Sequence, residues 1–268
     1  MPHQGKKAGK PPERIETEYG YILIEDTTSR GEEVRLYRHN GAYSSGTFLR
    51  DEMKYEILFD YPKKYEEAFR FLDVRSALMI GGAAYQYPKY YISHHAGSMD
   101  VVEIDPMAEI IAREWFFLED LYQDFDLYRT GRLNCITADA RDYLASTEKT
   151  YDVIFNDAFA GAIPVTALAT LEAVTAIREH LTEGGIYMSN IIGSSVGQAS
   201  TFMKAMIATT KKMFRYVHVL YTNPEDRNGL YRGNYMIMAT DQKIEPADKI
   251  RYHVSRYDPI LTDASISR

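Results

Sequence analysis

Hydrophobic positions recur along the chain with two spacings, as short continuous runs and as wider periodic stretches. The short apolar runs predict strands at 77–80, 100–104, 133–137, 152–155, 185–190, 216–221 and 235–239. Helical spacing predicts helices at roughly 85–95, 106–122, 140–146, 165–181 and 198–213. This alternation predicts an α/β fold with a doubly wound, mostly parallel seven-stranded sheet. Only a loop separates the last two strands, so we expect them to form an antiparallel edge.

The N-terminal part of the chain follows a different pattern. Between Tyr19 and Phe48, short alternating segments are separated by glycines, which predicts a small antiparallel β unit. Residues 51–72 have helical spacing, with Pro62 marking a break between two segments. We therefore divide the chain into a disordered tail at 1–14, a small β unit at 15–60, an α/β domain at 61–245 and a C-terminal tail at 246–268.

Composition narrows the class of partner. The 268 residues are 45% hydrophobic and 26% charged, with a formal net charge of −7, values that are ordinary for soluble globular proteins. Negative charge opposes binding to a nucleic-acid backbone and suits cationic ligands. The longest weakly polar stretch, 153–171, contains Asn156, Asp157 and Pro164. We therefore expect neither a nucleic-acid partner nor a membrane span.

Cysteine and histidine usage points to a cytoplasmic protein without a metal. Cys135 is the single cysteine and cannot form an internal disulfide. The N-terminal residues do not combine a charged start with an apolar run, so we expect no secretion signal. His94 and His95 adjoin each other, but neither has a partner at a metal-ligand spacing, so we expect no metal site.

Glycines and acids follow the first four predicted strands of the α/β region, at the edge where doubly wound sheets bind ligands. Gly81 and Gly82 follow the first strand and would let the backbone approach a ligand. Glu103 follows the second, where a carboxylate can accept hydrogen bonds from both hydroxyls of a ribose. Together these residues predict a nucleoside site.

Three further acids have competing interpretations. Asp105 stands before Pro106 and is best explained as a helix N-cap. Asp139 follows the third strand and either contacts the adenine amino group or caps the next helix, with equal weight. Asp157 follows the fourth strand and precedes small residues at 158–162. Its carboxylate would act as a general base or hold a cationic group, or it would bond loop N–H groups.

The order and spacing of five motifs resemble a known family. The motifs are DEMKY from Asp51, IGG from Ile80, VEID from Val102, ADA from Ala138 and YDVIFND from Tyr151. Over about 41–239 the sequence is similar to the spermidine synthase group, a branch of the class I S-adenosylmethionine-dependent methyltransferase fold. The resemblance implies that Glu103 holds the ribose, that Asp139 and Ala140 contact adenine, and that Asp157 deprotonates the attacking amine. It also implies that Tyr55 faces the substrate channel and that the protein forms a homodimer or homotetramer.

Two positions depart from the family pattern. Ala84 stands where the family has an aspartate that binds the amino group of the transferred aminopropyl arm. Ala160 stands where a second aspartate holds the diamine. A charge-assisted hydrogen bond is worth about 1.5–3 kcal/mol, so each substitution would weaken binding or transfer by roughly tenfold to a hundredfold.

These features leave three functions open. The first is a transferase that binds decarboxylated S-adenosylmethionine and moves an aminopropyl-type alkyl group to a small amine. The second is a methyltransferase that uses S-adenosylmethionine itself. Ala84 favours this alternative, because an aspartate there would repel the carboxylate of S-adenosylmethionine. The third is a nucleoside-binding protein without catalysis.

Overall fold

The N-terminal residues form a small antiparallel sheet. The computed structural model describes residues 12–198 and 200–266, so most of the predicted tail at 1–14 lies outside the described residues. The sheet contains β1 (Glu13–Thr17), β2 (Gly20–Ser29), β3 (Glu32–His39) and β4 (Ala42–Phe48), paired in chain order. The turns at Arg30-Gly31 and Asn40-Gly41 have left-handed backbone at both residues, which matches the twist of two-residue hairpins. The predicted antiparallel unit is confirmed.

Seven strands form the main sheet. They are β5 (Ser76–Ile80), β6 (Ser98–Glu103), β7 (Leu133–Thr137), β8 (Tyr151–Asn156), β11 (Leu181–Gly193), β12 (Tyr216–Tyr221) and β13 (Gly233–Thr240). Their order is β12-β13-β11-β8-β5-β6-β7. Two short strands, β9 (Phe159–Ala160) and β10 (Ile163–Pro164), pair separately. The predicted seven-stranded sheet is confirmed, and the predicted antiparallel edge arises because β13 pairs antiparallel with both β11 and β12.

Helices connect most of these strands. The α-helices are α1 (Gln86–His94), α2 (Pro106–Trp115), α3 (Leu118–Asp124), α4 (Leu127–Thr130), α5 (Ala140–Ser146), α6 (Leu171–Glu179), α7 (Ser200–Met213) and α8 (Asp263–Ile266). Short 3-10 helices span Asp51–Met53, Tyr61–Arg70, Thr166–Leu168 and Pro224–Asp226. In the part of the chain that the structure describes, no helix has both the length and the apolar character needed to cross a bilayer.

Three predicted helices were wrong in their extent. The helix predicted at 106–122 is two helices, because Phe117 adopts a left-handed φ of 61° that ends the first. The helix predicted at 165–181 starts only at Leu171, where the Thr170 hydroxyl caps α6 by accepting from Ala173 N. The region at 51–72 forms two separate 3-10 helices, and Pro62 lies in the first turn of the second rather than between them.

The chain divides into two compact units. Among the described residues, the first contains those up to Phe59, Met79–Asp139 and Phe159–Ile163, and the second contains Asp60–Leu78, Ala140–Ala158 and those from Pro164 onward. One apolar cluster of the first unit joins strands of the small sheet to α2 and to the loop after β5. A cluster of the second unit joins α7 to β11, β12 and β13. Each unit therefore has apolar packing of its own.

Candidate functional site

The loop after β5, in the first unit, has positive φ values at residues that are not all glycine. Gly81 has a φ of 93°, and Ala83 and Tyr85 also adopt positive φ values, 44° and 56°. Left-handed backbone costs a residue with a side chain about 1–2 kcal/mol. Gly82 is needed for a different reason, since a Cβ there would lie 3.1 Å from both the Tyr85 ring and Val101 Cγ1. The loop is therefore a strained segment that brings backbone N–H groups to the end of β6.

Glu103 holds this loop. Its Oε2 accepts hydrogen bonds from Gly82 N at 2.8 Å and from Ala83 N at 3.1 Å. Its Oε1 accepts from Asp105 N at 3.1 Å. A carboxylate offers about four lone-pair positions, so one remains for a further donor. The ribose role of Glu103 stays a prediction, and the same carboxylate has a structural role that the sequence did not reveal.

Asp105 and Asp139 are the other two acids that follow main-sheet strands of this unit. Asp105 caps α2 by accepting from Met107 N at 2.9 Å, which confirms the predicted cap. Asp139 is exposed in the turn after β7, and the preceding residue of that turn, Ala138, donates its N–H to Glu103 O at 3.0 Å. The glycine loop, Glu103 and the Asp139 turn are therefore neighbours. Ala140 is the first residue of α5 and is partly exposed.

The position of the missing tail aspartate lies in an apolar environment. Ala84 has no exposed surface and packs in a cluster with Ile22, Ile24, Tyr37, Ile111, Trp115 and Phe116. The Tyr37 ring meets Phe116 edge to face at 5.9 Å between centroids. Burial, together with the negative charges of Glu103 and Asp105, raises the pKa of Tyr37 well above its usual value. This phenol therefore stays protonated beside Ala84, where the family pattern would have an anion.

Tyr55 is engaged at a different place in the same unit. Its hydroxyl donates to Asp124 Oδ2 at 2.7 Å, and Lys54 Nζ lies 3.3 Å from the same oxygen. Burial and the hydrogen bond to Asp124 raise the pKa of Tyr55. Ala160, on β9, is exposed. The predicted role of Tyr55 in a substrate channel stays a prediction.

Asp157 forms a second cluster, in the other unit, immediately after β8. Its Oδ1 accepts from Asn190 Nδ2 at 2.8 Å and its Oδ2 from the Tyr61 hydroxyl at 3.1 Å. Burial raises the pKa of the Asp157 carboxyl above its usual value, although the hydrogen bonds from Asn190 and Tyr61 act in the opposite direction. Among the described residues its partners are side chains and not loop N–H groups. The predicted bonds to loop N–H groups are therefore not seen, and the role of Asp157 as a base or as a holder of a cationic group stays a prediction.

Strand register and one short helix assemble this cluster. Ser189 pairs with Asn156 across β11 and β8, so Asn190 lies beside Asp157, one position further along. Tyr61 and Tyr65 both come from the 3-10 helix Tyr61–Arg70. The sequence analysis missed Tyr61, Tyr65 and Asn190. The available signal was the pair of tyrosines, Tyr61 and Tyr65, that follows Asp60. Nothing in a single sequence indicates that they lie beside β8.

The described residues contain no group of three or more His, Cys, Asp or Glu side chains that could hold a metal ion. Both clusters are instead organised by backbone N–H groups, phenols and an amide.

Comparisons with known proteins identify the family and the fold. Residues 56–245 match the model of the spermine/spermidine synthase domain. The crystal structure of a probable spermidine synthase from Corynebacterium glutamicum ATCC 13032 is 25% identical, with a TM-score of 0.71 over 88% of this chain and 82% of that one. Human methyltransferase-like protein 13, in complex with SAH, is 19% identical, with a TM-score of 0.53 over 72% of this chain and 86% of that one, and shows the fold alone.

A curated relative gives a further match. A probable polyamine aminopropyl transferase of Bifidobacterium longum (strain NCC 2705) is 30% identical over 130 residues, which are 48% of this chain and 26% of that protein. The chain thus spans about a quarter of the length of this relative. The domain match covers most of the 268 residues, and the chain therefore belongs to the spermine/spermidine synthase family.

Proposed function

We propose that this protein is a transferase that moves an aminopropyl-type alkyl group from an S-adenosyl sulfonium nucleoside to a small amine. The observation that carries the proposal is the Asp157 carboxyl, partly buried at the end of β8 and held by Tyr61 and Asn190. A base with a raised pKa accepts a proton more readily near neutral pH than an ordinary carboxylate does. The names of the Corynebacterium and Bifidobacterium relatives support the aminopropyl group.

The nucleoside would be held by residues of the first unit. Glu103 has acceptor capacity left for a ribose hydroxyl after its three backbone bonds. Asp139 is exposed and would accept from the adenine amino group, next to Ala140. Gly81 is partly exposed and would let a ligand approach its backbone, whereas Gly82 is buried against the Tyr85 ring and Val101. These two hydrogen-bond acceptors and the glycine backbone are suited to an adenosine moiety.

The transfer step needs a proton acceptor and a neutral amine. An amine is mostly protonated at neutral pH, so one N–H bond of the acceptor ammonium must break, and the proton goes to the Asp157 carboxylate. The nitrogen lone pair then forms a bond to the carbon next to sulfur while the C–S bond breaks. The electron pair of that bond stays on sulfur, which leaves as a neutral thioether. Tyr61 and Asn190 hold Asp157 in one orientation for this step.

Methyl transfer from S-adenosylmethionine is the second candidate, and the apolar surroundings of Ala84 favour it. No carboxylate stands at this position to attract an ammonium group or to repel the carboxylate of S-adenosylmethionine. The Tyr37 phenol beside it is a neutral donor. Both transfers use the same base and the same adenosine contacts, so product analysis decides between them.

A dimeric or tetrameric assembly in the cytoplasm belongs to the proposal as well, and light scattering measures the assembly.

Substitution of Asp157 tests the proposed base. Purified protein is incubated with decarboxylated S-adenosylmethionine or S-adenosylmethionine and with short diamines, and alkylated amine is measured by mass spectrometry. We expect Asp157→Asn to lower turnover by about a hundredfold or more, with nucleoside affinity unchanged within a few-fold. Asp248→Asn is the matched control, because Asp248 also accepts from a tyrosine hydroxyl, that of Tyr221 at 2.8 Å. Full turnover in Asp157→Asn, or loss of its nucleoside binding, would contradict the proposed role.

A further inference from the structure

The amide of Asn190 is only half satisfied. The residue is 5% exposed, and its Nδ2 donates to Asp157 Oδ1 at 2.8 Å. Its Oδ1 is buried and has no hydrogen-bond partner among the described residues. A buried acceptor without a donor is costly and needs an explanation. The neighbouring Asp157 supplies one, because its own hydrogen-bonding capacity changes when it takes up a proton.

An amide can serve both protonation states of a carboxyl group. The ionised carboxylate only accepts, and Asn190 meets it with its N–H. When the proton arrives on Asp157 Oδ1, the new O–H would face that N–H, and two donors would oppose each other. Rotation of the amide by half a turn exchanges its ends, so that the carboxyl O–H donates to Asn190 Oδ1. The acceptor that lacks a partner in one state is the partner in the other.

The other groups that face Asp157 keep one hydrogen-bonding role in both protonation states. The 3-10 helix Tyr61–Arg70 contributes the phenols of Tyr61 and Tyr65, and burial together with the charge of Asp157 raises the pKa of Tyr61 well above its usual value. Tyr61 therefore remains a donor to Oδ2 in both states. Oδ1 is the oxygen whose partner can change from donor to acceptor.

We propose that Asn190 is the positioning residue for the proton that Asp157 accepts, donating to the carboxylate before transfer and accepting from the carboxyl O–H afterwards. The inference rests on the proposed function for its catalytic meaning. The proton step itself is simple: an N–H bond of the acceptor ammonium breaks, the nitrogen keeps the electron pair, and an O–H bond forms on Asp157. Solvent recovers the proton after product release.

Nuclear magnetic resonance tests the amide exchange on the wild-type protein without any turnover. Protein with isotope-labelled asparagine is titrated with acid, and the Asn190 side-chain amide signal is identified by its loss in Asn190→Asp. We expect this signal to move with the same midpoint as the Asp157 carboxyl carbon, and to stay fixed in Asp157→Asn. A signal that stays fixed while Asp157 titrates would overturn the inference. Because no reaction is needed, failure here is distinct from failure of the proposed transfer.

Kinetics supply a second test. Asn190→Leu removes both the donor and the acceptor, so we expect kcat to fall about tenfold or more while KM stays within about threefold. Because the Asp157 carboxylate loses a donor, the acidic limb of the kcat profile should move about one to two pH units higher. Asn134→Leu is the matched control, since Asn134 Nδ2 donates to Asp100 Oδ1 at 2.7 Å in a similar amide and carboxylate pair. A lower kcat with an unmoved limb would mean that Asn190 is only structural.

Discussion

Glu103→Gln separates the loop-holding role of Glu103 from a purely ligand-binding one. The carboxylate accepts three backbone hydrogen bonds, from Gly82, Ala83 and Asp105. Glutamine keeps one acceptor oxygen for Gly82 and Ala83, but it turns an NH2 group toward Asp105 N. One bond to a charged group, worth about 1.5–3 kcal/mol, is lost, and two others fall to the neutral range of about 0.5–1.5 kcal/mol. Because Glu103 is partly exposed, we expect a loss of about 2–4 kcal/mol in the free energy of unfolding.

Urea denaturation measures this loss, with calorimetric binding of methylthioadenosine as the parallel functional readout. We expect the nucleoside affinity of Glu103→Gln to fall by about tenfold or more, because the loop and the ribose contact weaken together. Glu109→Gln is the matched control, since Glu109 forms an ion pair with Arg113 at the partly exposed surface of α2, and its loss should cost about 0–1 kcal/mol. A Glu103→Gln protein as stable as the wild type would refute the loop-holding role.

Three further predictions concern other buried groups. Burial lowers the pKa of Lys89 to about 7, whereas the lysine of the unfolded chain keeps its proton up to about pH 10.4. The free energy of unfolding should therefore rise between these two pH values, and urea denaturation of Lys89→Met should lack that rise. Ala84→Asp puts a carboxylate into an apolar cluster and should cost about 3 kcal/mol or more in urea denaturation, against about 0.5 kcal/mol or less for Ala160→Asp at an exposed site. Tyr61→Phe removes a donor to Asp157 and should move the acidic limb of the kcat profile to higher pH; an unmoved or lowered limb would contradict the role of this bond.

Local patterns predicted most of the fold. The strands at 133–137 and 216–221 have the predicted bounds, because each is a short apolar run between polar turns. The break at Phe117 escaped prediction, since α2 and α3 both bury apolar residues and periodicity alone continues across the turn. It is the left-handed backbone at Phe117 that separates them.

The candidate site divides in the same way. Residues at strand ends, such as Glu103 and Asp157, could be predicted because the sheet edge fixes their positions. Tyr61 and Asn190 could not, since their approach to Asp157 depends on the register of β11 and on the placement of a 3-10 helix. The burial of Ala84 depends likewise on strands β2 and β3, which are distant in sequence.

Release of methylthioadenosine is the most direct measurement of the central proposal. Purified protein is mixed with decarboxylated S-adenosylmethionine and a short diamine, and methylthioadenosine and alkylated amine are quantified together. We expect the two products in equal amounts, and both formed about a hundredfold or more slowly in Asp157→Asn. Binding of the nucleoside without either product, for decarboxylated S-adenosylmethionine and S-adenosylmethionine alike, would contradict a catalytic role and leave a nucleoside-binding protein.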